Sequence, residues 1–270
     1  MPRPVFSLLL FLLLYIPSLV AQNSDLFIFR EFQNAVKKGT RTFDGVPGEK
    51  YWTNSAKYNI KAAVEPVTGK ISGSEIIEYS NNSPDDLKSL VFNFYPDVYK
   101  KGAQRNVKFQ PEDITEGMII HELKINGTDV PAAKIQRNKA LGLVKLSEPL
   151  KKGTTAKIEV KWEFTMPKNP DDRIGTYGDS SYFVAYWYPQ VAVYDDISGW
   201  DMVGYEGEHE FYTDNCSFEV ELNVPNGILV WATGDLKNGS EIYSKECLKK
   251  LEDLKNHDNV TVICQPEGVK

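Results

Sequence analysis

Two of the three histidines in the chain, His121 and His209, precede a glutamate, which is half of a zinc-binding motif. A His-Glu-x-x-His helix places its second imidazole four residues after the first, so that both reach one metal from adjacent turns. Ile125 and Thr213 occupy those positions instead, and strand-like sequence surrounds both His-Glu pairs. We therefore interpret both as structural, and leave open a site assembled from distant histidines that include His257.

Acidic loops offer a second kind of chemistry. Asp195, Asp196, Ser198 and Asp201 carry oxygens of the type that calcium prefers, but their spacing does not match an EF-hand loop. Aspartates in this setting more often form turns. Acidic pairs are abundant enough to evoke a glycosidase, yet nothing in the sequence selects one pair. The chain also contains no Gly-x-Ser-x-Gly elbow, phosphate-binding loop or dinucleotide fingerprint.

The segment YFVAYWYPQVAVYDDISGWD, residues 182–201, concentrates aromatic residues around one uncharged amide, Gln190. Alternation along a strand puts Tyr182 and Tyr186 on one face and Phe183 and Trp187 on the other. Apolar side chains on both faces favour a strand over 182–188 that is buried on both sides. The alternative is an exposed aromatic surface that stacks on sugars.

A period-two pattern begins at Lys57 and dominates the chain up to residue 240. Turn signals such as NNSPDD and the Asn126-Gly127 pair separate the strands. Further strands are predicted over 210–224 and 228–236. The fold class is therefore mainly β, an antiparallel β-sandwich, with a short helix before it and one amphipathic helix after it.

The N-terminal residues 1–21 have the layout of a secretory signal peptide. One positive residue, Arg3, precedes an apolar run from Val5 to Ile16 that is short for a membrane span. We expect cleavage before Gln22, a secreted or periplasmic location, and no stable membrane anchor after cleavage. The net charge of −6 gives no basic surplus for nucleic acid.

The remaining boundaries follow from composition. Residues 22–56 form an N-terminal extension with a short helix, residues 57–240 form the sandwich, and residues 241–270 form a helix followed by the start of a continuing strand. The C-terminal helix has Ser244 as a candidate N-cap. Cys247 and Cys264 could form a disulfide, although buried free thiols are the slightly preferred interpretation.

Three sequence blocks follow one another along the chain: GSEIIEYSNNSPDDLKSLVFNFYP, then WYPQVAVYDDISGWD, then FEVELNVPNGILVWATGDL. Together they resemble the N-terminal domain of the aminopeptidase N-like zinc metallopeptidases (gluzincins), and are most similar to the secreted bacterial type. The resemblance runs from about Tyr58 to Lys270. It implies a saddle-shaped β-sandwich that precedes a thermolysin-like zinc domain, whose motifs do not occur in this sequence.

The resemblance implies one substrate-binding residue. The family's N-terminal domain supplies a glutamine that reaches the pocket for the substrate's amino end, shortly before a Phe-Asp-like pair, and Gln190 stands in that relation to Trp200 and Asp201. Met202 and Val203 depart from the family's pattern after the aspartate. A buried glutamine that only ties loops together is the other interpretation.

Two functional hypotheses follow. In the first, the chain is the non-catalytic, substrate-lining domain of a secreted zinc aminopeptidase; it holds no cofactor itself, is inactive alone, and has a missing catalytic domain and a peptide's N-terminus as its partners. In the second, it is a stand-alone secreted β-sandwich module that binds a peptide or a carbohydrate.

Overall fold

The computed structural model describes residues 27–169, 173–178, 180–256 and 258–269. The predicted signal peptide, residues 1–21, and His257 lie outside the described residues. Within the part of the chain that is described, no helix combines the length and the apolar character needed to cross a membrane.

Strands account for most of the regular structure, as the alternating pattern predicts. In chain order they are β1 Ser55–Glu65, β2 Lys70–Ser80, β3 Leu87–Asn93, β4 Ile119–Ile125, β5 Thr128–Asp129, β6 Gln136–Asn138, β7 Leu141–Leu150, β8 Thr155–Thr165, β9 Ile174–Tyr177, β10 Ser181–Val184, β11 Gln190–Val191, β12 Tyr194–Asp195, β13 Gly199–Trp200 and β14 Ser217–Asn223.

Two sheets form the sandwich. The larger has the order β14-β1-β2-β8-β4-β5 and the smaller β11-β3-β7-β6. Neighbouring strands are antiparallel throughout, except that β14 lies parallel to β1. Apolar residues of both sheets join one core, in which Ile77 and Ile158 of the larger sheet and Leu90 and Val144 of the smaller are buried. The predicted fold class, mainly β and antiparallel, is confirmed.

Local sequence explains several connections. Asn126 and Gly127 adopt positive φ angles of 50° and 78° between β4 and β5, the left-handed pair that a tight hairpin turn requires. The turn predicted at NNSPDD joins β2 to β3. In that turn the buried Asn81 amide donates hydrogen bonds to the carbonyls of Asp85 and Leu150, so this polar side chain fastens the loop to β7.

Both predicted helices are present: α1 spans Arg30–Lys38 and α3 spans Lys245–Asp253, with the short α2 at Gly239–Ile242. Gly39 ends α1 in a left-handed conformation with φ 82°. The hydroxyl of Ser244 accepts a hydrogen bond from the Cys247 backbone N–H, and Ser244 is therefore the N-cap of α3, as predicted.

Three strand predictions are wrong. The aromatic segment forms strand only as far as Val184, in a two-stranded ribbon with β9, and Phe183 is 51% exposed instead of buried. Residues 228–236 carry no strand; their backbone begins with a turn in which the Ile228 N–H donates to the Pro225 carbonyl. Residues 258–265 carry no strand either. In the last two cases the apolar pattern is present, but no described strand pairs with it.

The cysteine interpretation is also corrected. Cys247 and Cys264 form a disulfide, where free thiols were slightly preferred, and Cys216 is the free cysteine. The disulfide ties the residues after α3 back to the first turn of that helix.

The edge strand β14 has an unusual exposure. Its register with β1 places Phe218 beside Tyr58 and Val220 beside Ile60, on the face that the larger sheet turns to the core. Tyr58 and Ile60 are almost fully buried, whereas Phe218 is 49% and Val220 44% exposed. The smaller sheet therefore leaves the inner face of β14 uncovered.

Candidate functional site

Gln190 is held by both sheets. Its backbone lies in β11, paired with Asn93 of the smaller sheet, and the neighbouring Val191 N–H donates a hydrogen bond of 3.1 Å to the Tyr58 hydroxyl of the larger sheet. The side chain is buried, and its Oε1 accepts a hydrogen bond of 3.3 Å from the Tyr95 hydroxyl. A side chain held in this way keeps a fixed orientation.

Tyr95 belongs to a cluster of four aromatic rings. Tyr95 contacts Phe211 at a centroid distance of 4.2 Å and Tyr186 at 5.2 Å. Phe211 in turn meets Tyr186 and Tyr205 edge to face, at 4.7 and 5.5 Å. Edge-to-face packing of this kind is favourable and directional, so Tyr95 links Gln190 to a rigid aromatic wall.

This aromatic wall borders an open cleft of about 210 Å³. The cleft is lined by Arg173, Tyr186, Tyr205, Gly207, Glu208, His209, Glu210 and Phe211. It combines aromatic faces with charges of both signs. Such a surface suits an amphipathic ligand that carries a charged group, for example a peptide end or a polar side chain.

Arg173 organises the mouth of the cleft. Its guanidinium donates hydrogen bonds to the Tyr186 hydroxyl and to the Glu210 carboxylate, and both interactions raise the pKa of Arg173. Tyr186 itself has a left-handed backbone with φ 56°. A bulky residue rarely adopts this conformation. Together with the hydrogen bond from Arg173, it turns the chain at the end of the β9–β10 ribbon and sets the ring at the edge of the cleft.

The two aspartates after β11 form a turn, as predicted. Asp195 Oδ1 accepts hydrogen bonds from the backbone N–H groups of Ile197 and Ser198, at 3.0 and 2.6 Å, and its Oδ2 accepts from the Tyr212 hydroxyl. Both carboxylate oxygens are therefore engaged. In the described ranges, no group of three or more His, Cys, Asp or Glu side chains could hold a metal ion, so the calcium alternative gains no site there.

Asp196 pairs with Arg41 of the N-terminal extension. Arg41 Nη2 and Asp196 Oδ1 are 2.6 Å apart, and Arg41 Nε lies 3.0 Å from Oδ2. The Asp196 side chain is only 2% exposed. Burial by itself would raise the pKa of Asp196, but the hydrogen bonds from Arg41 and Thr40 lower it below the ordinary value.

Asp214, in the segment between the cleft and β14, is half-buried, and no cation among the described residues is paired with it as Arg41 is with Asp196. Burial, with a smaller contribution from the Asp195 charge, raises the pKa of Asp214 to about 6. Asp214 therefore titrates closer to neutral pH than an ordinary exposed aspartate does.

The two histidines that the structure describes, His121 and His209, have separate partners and do not form a metal site with each other. His121 Nε2 lies 3.2 Å from the Glu163 carboxylate on the outer face of the larger sheet. His209 lines the cleft, with its Nδ1 3.4 Å from the Asn106 amide nitrogen. The structure does not bring these two imidazoles together. The sequence led us to interpret His209 as structural, and the structure places it in the lining of the cleft.

The sequence predicts a substrate-binding role for Gln190, and it gives no such prediction for Tyr95, Arg173, Tyr205 and Phe211, which the structure places around or beside the cleft. No signal in the sequence marks them as a group, because they come from separate loops. The Tyr95-Pro96 pair directly after β3 was a possible cue, since a proline there begins the turn that buries Tyr95.

Comparisons with known proteins add a coarse similarity. Neither a protein-family model nor a curated protein matches this chain. An M1 zinc metallopeptidase from Deinococcus radiodurans, solved as a mutant bound to a Tyr-Ser-Ala substrate, is 16% identical with a TM-score of 0.40, over 72% of this chain and 39% of that one. The same enzyme without the mutation is 15% identical with a TM-score of 0.40, over 72% and 38%.

A Legionella pneumophila aminopeptidase A in complex with aspartic acid is 11% identical, with a TM-score of 0.28, over 45% of this chain and 11% of that one. The chain thus spans well under half the length of each of these structures. The similarity is one of coarse architecture, and we transfer no functional residue on it.

Proposed function

We propose that this chain is the non-catalytic N-terminal domain of a secreted zinc metallo-aminopeptidase, and that it lines the pocket for the substrate's amino end. The observation that carries the proposal is the geometry of Gln190: both sheets and Tyr95 hold this amide in place, and the Tyr95 ring contacts the aromatic rings that line the cleft. The order of the three sequence blocks, which resembles this family, supports the same assignment.

The role of Gln190 follows from its chemistry. A peptide's free amino end is a cation with N–H donors, and an amide oxygen accepts such a hydrogen bond without carrying a charge of its own. Tyr95 already donates to this oxygen and leaves a second lone pair for the ligand. The described residues include no group that could hold zinc, so the metal and its activated water belong to a separate catalytic domain in this proposal.

The coding sequence around this chain provides the first test. We expect it to encode, in frame or nearby, a His-Glu-x-x-His helix with a downstream glutamate ligand. If no such helix is encoded there, the enzyme context is wrong.

The second test uses the purified chain. We expect it to release no product from a chromogenic amino-acid anilide, with or without added zinc, since it lacks the catalytic motif. Zinc-dependent turnover by this chain alone would contradict its assignment as non-catalytic.

The third test concerns Gln190 in the complete enzyme. We expect Gln190→Ala to lower kcat/KM for peptides by about 10- to 100-fold, the usual loss when one hydrogen bond to a charged group is removed. Tyr95→Phe, which keeps the ring but not the hydroxyl, should have a smaller effect in the same direction. Equal activity of Gln190→Ala and the unaltered enzyme would leave Gln190 as a residue that only ties loops together.

The cleft favours one alternative: a stand-alone secreted module that binds a peptide or a carbohydrate on its aromatic wall. Titrating the purified chain with peptides and oligosaccharides tests it, with Tyr186→Ala as the control variant. Saturable binding that Tyr186→Ala weakens would support the module, and an absence of binding would remove it.

The secreted or periplasmic location is part of the same proposal, and rests on the signal-like residues 1–21. Fractionating cells that express the chain, followed by N-terminal sequencing of the exported product, tests it. The expected new N-terminus is Gln22. Retention of the intact N-terminus inside the cell would contradict it.

A further inference from the structure

Glu75 occupies a position that normally belongs to an apolar residue. It lies in β2, on the inner face of the larger sheet, with Ile60 of β1 on one side and Val160 of β8 on the other. Ile71 and Ile77 flank it on the same face of the strand and are buried. Glu75 is 2% exposed, so its carboxyl group lies inside the sandwich core.

The carboxyl group has no hydrogen-bonding partner among the described residues. Both Oε1 and Oε2 of Glu75 are buried and unpaired, and the indole Nε1 of Trp162 is a second buried group without a partner. The Trp162 ring lies across Gly73, two residues before Glu75: a Cβ on Gly73 would come within 2.7 Å of Trp162 Cζ2. The absence of a side chain at Gly73 thus makes room for an indole beside the buried acid.

The segment that contains Gln190, residues 187–191, packs over the inner face of the larger sheet near Glu75. Trp187 meets Trp162 at a centroid distance of 5.7 Å, and Tyr188 meets Tyr58 at 5.6 Å. The backbone of Val191 is fastened to the same Tyr58 through its hydroxyl. The inner face around Glu75 is therefore the support on which residues 187–191 rest.

Among the described residues, the titratable groups around Glu75 contribute no positive charge. Tyr58 of β1 and Tyr188 of the overlying segment are the nearby groups: burial raises the pKa of each hydroxyl, and a negative charge on Glu75 would add to the rise. The Cys216 thiol acts on the same two hydroxyls. Desolvation alone raises the pKa of Glu75 well above its ordinary value, with no compensating cation.

An ionised carboxylate does not fit this environment. Without donors it would have to recover hydration, and it would face aromatic rings whose faces carry partial negative charge. A neutral carboxylic acid has the same shape without that cost, and it can also donate a hydrogen bond.

We propose that Glu75 is a positioning residue: an uncharged carboxylic acid that keeps residues Trp187 to Gln190 packed on the inner face of the larger sheet. Ionising it draws water under the segment and displaces Gln190. The effect on peptide binding rests on the proposed function of Gln190; the movement of the segment does not.

Carbon-13 NMR of the purified chain, labelled at its glutamate carboxyl groups, tests the first half. The Glu75 resonance is identified by its loss in Glu75→Gln. We expect it to remain in the protonated position over the pH range in which exposed glutamates ordinarily ionise. Titration of Glu75 together with those exposed residues would overturn the proposal.

The second half is tested on the same samples through the Trp187 indole and the Gln190 side-chain amide resonances. We expect both to shift with the midpoint of the Glu75 carboxyl, and to stay constant in Glu75→Gln over that range. Glu78→Gln, on the outer face of the same strand, is the matched control and should behave as the unaltered chain does. Unchanged resonances in the unaltered chain, or equal shifts in Glu75→Gln, would overturn the proposal.

Two precautions separate the possible failures. If Glu75→Gln does not fold, the Glu75 carboxyl is assigned through its own backbone resonances, and coincidence of its midpoint with that of the Gln190 amide decides. If Gln190 moves with Glu75 but Gln190→Ala leaves peptide turnover unchanged in the complete enzyme, the proposed function is wrong and the positioning role of Glu75 stands.

Discussion

Two of the buried carboxyl groups, Asp196 and Glu75, lie in opposite electrostatic environments. Asp196 receives several hydrogen bonds from Arg41, which lower its pKa despite burial. Glu75 receives none from the described residues, and burial raises its pKa. The difference teaches that burial alone does not set the pKa of an acid, because donors within reach also contribute.

The two carboxyl groups also distinguish the two ends of the segment that contains Gln190. On the Asp196 side, a buried ion pair fastens the turn after β11 to the N-terminal extension. On the Glu75 side, the chain rests on aromatic packing over a group whose charge can change. We expect the end near Asp196 to keep its position when the pH changes, and the end near Glu75 to shift.

Breaking the ion pair between Arg41 and Asp196 should have the largest effect on the free energy of unfolding. We expect Arg41→Ala to lower the free energy of unfolding by about 3–5 kcal/mol, because it leaves the Asp196 charge buried without its cation. Urea denaturation measures this change, and the double variant Arg41→Ala with Asp196→Asn should recover part of it. Lys61→Ala, which removes an exposed ion pair with Glu221, is the control and should change little.

Replacing the unpartnered acid by a neutral amide should stabilise the protein at neutral pH. We expect Glu75→Gln to unfold at higher urea than the unaltered chain there, because the unaltered chain releases the Glu75 proton when it unfolds and the amide variant has no proton to release. Below the ordinary glutamate pKa of 4.5 both states of the unaltered chain hold the proton. Above it only the folded state does, so the stability of the unaltered chain falls with rising pH, and the stability difference between Glu75→Gln and the unaltered chain widens. A difference that stays constant with pH would contradict this assignment.

Asp214 offers an intermediate case with a smaller effect. Its pKa is raised from 3.8 to about 6 in the folded state, so the stability of the unaltered chain relative to Asp214→Asn should fall as pH rises between these two values. Because Asp214 is only half-buried, we expect a gain of about 1 kcal/mol for Asp214→Asn above that window and none below it. Urea denaturation at several pH values measures the difference.

Sequence patterns predicted the local parts of the fold. Alternation located most strands of the two sheets, Asn126-Gly127 predicted a hairpin turn, and Ser244 predicted a helix start. These signals depend on neighbouring residues in the chain. The strand predicted over residues 228–236 failed because a strand also needs a paired edge, which its own sequence cannot supply.

The site was predictable only in part, for the same reason. Gln190 was found through a family resemblance, but its hydrogen bond to Tyr95 spans 95 residues, and the Arg41–Asp196 pair spans 155. The sequence named Cys247 and Cys264 as a conceivable pair but could not decide between a disulfide and free thiols, because that depends on how the residues after α3 fold back. The period-two pattern of β2 does place Glu75 on the inner face, but it cannot show that the acid lacks a partner.

The uncovered inner face of β14 has a consequence for handling the protein. Phe218 and Val220 present half-exposed apolar side chains beside the free backbone edge of a terminal strand, the combination that lets sheets of different molecules join. The purified chain should therefore be limited by its solubility, with light scattering that rises with concentration and falls when a mild detergent is added.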